Sequence, residues 1–245
     1  MFRIPPHKKT RNLPDYMQEH LQPIHPEDTR KMVSMFCFLL LDGSLIFLLV
    51  PYNETIAYSL IPFIGCINLW AIRLIIKNPF KTQLETLLFM ICNFVMTAIT
   101  YFILTVRLAY VYAEITNMWV YITFSIGIIF CILKLLRYQV IKYSKLDYKL
   151  KEHEKWYNSG TVTFGAVLIW QGGTFFLAVT SFQRLASIFE LGVLLILMVV
   201  SFCYFSVKYI HKYCFIKHNI DYFNYSVPSD KSKRVRYKKQ GFQHK

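Results

Sequence analysis

Long apolar stretches alternate with short polar ones along this chain, and six of them reach the roughly 20 residues a helix needs to cross a bilayer core. They run over 32–50, 55–76, 82–106, 117–136, 160–181 and 185–207. Inside lipid each backbone N–H and C=O must be satisfied within its own segment, so runs of this length without turn residues predict helices. The expected fold is therefore all-α: a polytopic membrane protein with a six-transmembrane-helix bundle. Ahead of it, 1–31 form a polar tail. Pro14-Asp15 and Pro26-Glu27-Asp28 put acidic residues where helix starts favour them, so two short helices are predicted, the second leading into the first span. That first span is full length and follows a polar tail, so it is expected to act as a signal anchor, not a cleaved leader.

Two helices are expected to overrun the membrane. After the fourth span, Val140, Ile141, Leu146 and Leu150 stand among cations with no Gly or Pro, which predicts an amphipathic segment over 137–159. The sixth helix should continue through Lys208 to about Tyr225, opening a basic tail over 208–245. The outer connections are short, which leaves no room for a large external domain.

Charge supplies the orientation. Six Lys and Arg precede the first span, three lie in 73–81, seven in 134–155 and ten from Lys208 onward, against two, Arg107 and Arg184, on the other side. Cations accumulate on the cytoplasmic side, and this partition requires an even number of spans with both termini cytoplasmic. A net charge of +14 thus reads as a topology signal, and no nucleic-acid partner is expected. Anionic lipid headgroups are the expected contact of the basic face. Aromatics fit the same frame: Tyr58, Tyr110, Tyr112, Trp119 and Tyr121 near the outer boundary, Tyr138, Tyr143, Trp156, Tyr157 and Tyr209 near the inner one.

Composition agrees, with 55% hydrophobic against 17% charged residues, which argues against a soluble enzyme. The six cysteines lie in or beside spans and read as small packing residues.

Ionisable or amide groups inside spans are costly, so each asks for a partner or a role. Counted from the outer ends, Asp42 lies about nine residues deep, Gln171 about ten, and Asn68 and Asn93 about thirteen. These four polar side chains come from four spans and fall in one layer. It is either a hydrogen-bond network that holds helices in register or the lining of a transport path. Gly172 and Gly173 follow Gln171 and could form a hinge or a close helix contact facing Asp42. Glu190 lies about six residues inside the sixth span.

His211, Cys214 and His218, at i, i+3 and i+7, share a helix face and form a weak metal candidate, opposed by neighbouring Lys212 and Lys217. No zinc-protease, nucleophile-elbow or phosphate-loop motif occurs, all seven histidines lie outside the spans, and no cofactor is expected.

Three function classes survive. The first is an integral membrane subunit of a transport or export system, permease-like and without its own ATPase, working as a homodimer or with a separate ATPase or other membrane partner. The second is a non-catalytic interaction protein serving immunity, assembly or regulation, and the third an intramembrane enzyme. Lys outnumbers Arg by 19 to 9 and Ile, Phe and Tyr abound, a bias of AT-rich genomes that points to a bacterial cytoplasmic membrane.

Overall fold

The computed structural model describes residues 3–4, 12–22, 24–49, 53–144, 184–223, 230–232 and 234–235. All regular structure among them is helical: α1 (Asp15–Leu21), α2 (Pro26–Ser34), a π-helical segment (Met35–Leu41), α3 (Asp42–Leu49), α4 (Glu54–Ile76), α5 (Gln83–Val111), α6 (Met118–Lys142) and α7 (Arg184–His218), with a 3-10 turn at Ile220–Tyr222. By length and composition, five helices can cross a membrane: Asp28–Leu49, which runs through the π segment, and then Glu54–Ile76, Gln83–Val111, Met118–Lys142 and Glu190–His218. The chain is thus an all-helical, multi-pass membrane protein. The fifth apolar run, 160–181, lies outside the described residues, as do residues 145–159 of the amphipathic segment.

Local chemistry explains the helix ends. Asp15 lies in the first turn of α1 and Pro26 at the start of α2, as the tail pattern predicts. Asn53 caps α4 by accepting from Ile56 N at 3.1 Å. Asn117 caps α6 the same way, accepting from Trp119 N at 3.0 Å. After α5 the chain turns with Glu114 at φ 54°, while Ala113 N and Tyr112 N both bond back to Leu108 O. Both overrunning helices exceed their apolar cores. α6 reaches Lys142, and α7 reaches His218, where predicted continuation to about Tyr225 gives way to the 3-10 turn.

α5 is the central helix. It lies along α7 on one side and takes α3, the π segment and α4 on the other. Phe94 anchors this core, 1% exposed, with Phe36, Phe205 and Tyr209 ring centroids 5.0, 5.5 and 5.3 Å away. Between lipid and protein there is little hydrophobic driving force, so close aromatic packing and dispersion hold such helices together. α6 packs mainly on α7 and touches α5 where Phe124 stacks on Phe102 at 5.6 Å, and none of its membrane-length window is buried.

The bundle has two distinct ends. At the tail end, Ile4 N donates to Asn219 Oδ1, His20 meets His211, and Tyr143 stacks on both rings. The α4–α5 connection is at this end too, tied by Arg73 to Glu85 at 3.1 Å and by Trp70 Nε1 donating to Glu85 at 3.2 Å. At the far end Arg107 donates to Leu48 O, and α7 passes Leu108 of α5 at Gly192. α6 and α7 therefore both finish at the tail end.

Candidate functional site

The first span is not a uniform α-helix. In Met35–Leu41 the bonding widens to π register, and the Asp42 N–H reaches back five residues to Cys37 O. No local sequence signal predicts this. Polar side chains of two neighbouring helices meet the widened stretch. Asn68 of α4 donates its Nδ2 to Asp42 Oδ1 and Oδ2 at 3.0 and 3.1 Å, and its Oδ1 accepts from the Cys37 thiol at 2.9 Å. Asn93 of α5 donates to Phe36 O at 3.2 Å. Three members of the predicted layer, Asp42, Asn68 and Asn93, therefore gather on one stretch of the first span. Gln171, Gly172 and Gly173 lie outside the described residues.

The chain of donors is directional. Cys37 gives its S–H to Asn68, and Asn68 passes an N–H to both carboxylate oxygens. Its amide is fixed at both ends, so the Asp42 carboxyl is aimed by α4 as well as by its own helix. Asn93 is different: it is fully buried, and among the described residues its Oδ1 is the buried side-chain atom left without a partner.

Asp42 is only half-buried, and its neighbours Phe38, Leu39 and Ile46 are 39%, 58% and 64% exposed. The carboxylate thus sits on the outward-facing seam between the first span and α4, not on a closed axis through the bundle. Glu190 is exposed as well, near the far end of α7.

The other polar groups of the helices satisfy themselves. Thr86, Thr97, Thr100 and Thr105 of α5 each donate to the carbonyl four residues back, so this row of hydroxyls offers no open donor. A cavity of about 420 Å³ lies between α5, α6 and α7, lined by Ala98, Phe102, Ile128, Ile132, Val199 and Cys203 among others. The two serines on its wall donate to carbonyls of their own helices, so it provides volume without a polar anchor.

The metal candidate separates. His211 is 4% exposed and turns inward to His20, whereas Cys214 and His218 are exposed, and no group of three ligands occurs among the described residues. Tyr143 also departs from expectation: it is 6% exposed and stacked on His20 at 4.0 Å, a buried lid instead of an interfacial anchor. Tyr209 packs against Phe94 in the core. Trp156 and Tyr157 lie outside the described residues, while Tyr58, Tyr110 and Trp119 are widely exposed near the far end.

Sequence reasoning missed the pairing of His20 with His211, Nε2 to Nδ1 at 3.1 Å, because 191 residues separate them. Burial first, then the charges of Lys212, His211, Lys208 and Lys142, hold His20 well below the ordinary 6.5. The sign follows from proton uptake. Below about pH 6.5 the unfolded chain protonates His20 while the fold keeps it neutral, so stability is complete above that value and falls as the solution is acidified. Thermal unfolding in detergent is expected to show a lower midpoint at pH 5.5 than at pH 7.5, and His20→Gln is expected to flatten that dependence.

Comparison with protein-family models, curated proteins and solved structures finds no match for this chain.

Proposed function

We propose that this protein is the membrane-embedded, non-ATPase subunit of a transport or export system, and that its path is completed where Asp42 faces a second subunit. The Asp42 carboxylate carries this reading. A carboxylate in a span is expensive, and here it is held ready by Asn68 at an outward seam instead of being sealed into the core. The bare α6 surface and exposed Glu190 add a second face on which a subunit can assemble. A homodimer or a separate energy-coupling partner would meet the bundle there, in a bacterial cytoplasmic membrane.

Six spans with both termini in the cytoplasm are part of this reading. α6 ends at the tail end of the bundle and α7 begins at the far end, so the chain between them passes from one end to the other. That supports a further crossing within 145–183, matching the apolar run 160–181. The cations of 73–81 and 134–142 lie towards the tail end, which is why that end is read as cytoplasmic.

Asp42→Asn is the functional test. It keeps volume and one acceptor oxygen for Asn68 but removes the charge, so transport, or resistance conferred by export, is expected to fall to background while the protein still inserts and extracts as a single species. Full activity in the variant would end the path reading. An interaction protein remains the second reading, favoured by α6. Stoichiometric co-purification of a membrane partner, with activity indifferent to Asp42→Asn, would select it.

A further inference from the structure

At the tail end, where α1 meets the finishing turns of α6 and α7, cations gather on two helices. Lys208 and Lys212 stand one turn apart on α7 and flank His211, and both are half-buried. Lys142 comes from the end of α6, and the charges of all three lysines reach His20. Lys212 Nζ makes a long contact of 3.4 Å to a backbone carbonyl, Glu19 O, not to a carboxylate. Among the described residues no carboxylate stands at pairing distance from Lys208 or Lys212. The Glu19 carboxylate is exposed and offsets their charge only from a distance.

Two ammonium groups drawn partly out of water with a third beside them repel one another, and an anion relieves that cost. The floor of the cluster is rigid and neutral: the His20–His211 pair, 3% and 4% exposed, under the Tyr143 ring. Its height matters as well. Lys208 directly follows Val207, the last residue of the apolar run, so the ammonium groups stand at the level where lipid phosphates lie.

We propose that Lys208, Lys212 and Lys142, seated on the His20–His211–Tyr143 stack, form a phosphate-binding site at the tail end of the bundle. The phosphate belongs either to an anionic lipid headgroup or to a soluble phosphate compound. The site is independent of the Asp42 path; only its lipid source depends on membrane placement of the tail end.

Full-length protein in nanodiscs tests it. Phosphatidic acid retention is measured in phosphatidylcholine discs doped with that lipid, and inorganic phosphate binding in undoped discs at constant ionic strength. The double variant Lys208→Gln/Lys212→Gln is expected to lose roughly tenfold or more in affinity for whichever source binds. The charge-keeping pair Lys208→Arg/Lys212→Arg is expected to bind like wild type, which separates lost charge from lost fold. Lys217→Gln/Lys231→Gln, at exposed positions of the same basic region, should change little. Retention of phosphatidic acid alone assigns the headgroup, and protection by inorganic phosphate assigns a soluble ligand. Equal losses in the two glutamine pairs, or no preference for either phosphate source over phosphatidylcholine alone, would overturn the proposal. The Asp42→Asn assay is read separately, so either result can fail without the other.

Discussion

Replacing Asn68 with leucine is expected to destabilise the bundle by about 2–3 kcal/mol, whereas replacing Asn68 and Asp42 together with leucine is expected to cost little or nothing. Asn68 is the side chain that donates to both Asp42 oxygens, at 3.0 and 3.1 Å. Its loss leaves a half-buried carboxylate without that donor in a place where water cannot easily substitute, and leaves the Cys37 thiol without its acceptor. Removing the carboxylate too removes the group that needed satisfying. The pattern is measured by unfolding purified single and double variants in mixed detergent, and a double-mutant coupling energy near zero would show that Asn68 and Asp42 do not act as a pair. If the doubly substituted protein is as stable as wild type yet inactive, the polar layer is present for function and not to fasten helices.

The second large effect is expected at Phe94. Truncating a buried phenylalanine in a water-soluble core costs about 3–5 kcal/mol, a sum of transfer and cavity terms. For a helix that stays in lipid when the bundle comes apart, most of the transfer term vanishes, because lipid tails are as apolar as the core. What remains for Phe94→Ala is lost contact with Phe36, Phe202, Phe205 and Tyr209, whose ring centroids lie 5.0 to 6.1 Å away. We expect about 2 kcal/mol for this contact loss, and roughly half of it for Phe94→Leu. The same detergent unfolding series measures both. A loss below that of a lipid-facing control such as Leu69→Ala would mean that α5 and α7 do not meet through this aromatic cluster.

How much of this was readable in advance depends on how local each signal is. Helix existence is local, since length and apolarity alone decide what a bilayer accepts, and α4 begins and ends within a residue or so of the run 55–76. Depth is nearly local too. Counting at 1.5 Å per residue puts Asp42 and Asn68 near one level, and they bond. Angle around the helix is not local. Asn93 shares their level but turns to the Phe36 carbonyl, inside a stretch of the first span whose π register no residue in MFCFLLL announces. The His20–His211 pair shows the same limit. Helical spacing aligned His211 with Cys214 and His218, but α1 covers only the first of them, and nothing in the spacing along α7 announces α1.

Six crossings with both ends inside can be tested directly by thiol labelling of intact cells. With the six native cysteines replaced, single cysteines at Asn53→Cys, Asn117→Cys and Gln183→Cys are expected to react with a membrane-impermeant maleimide from outside. Ser144→Cys and Ser229→Cys are expected to react only after permeabilisation. Labelling of Ser144→Cys in intact cells, or protection of Gln183→Cys until the membrane is opened, would contradict six crossings with a cytoplasmic tail end.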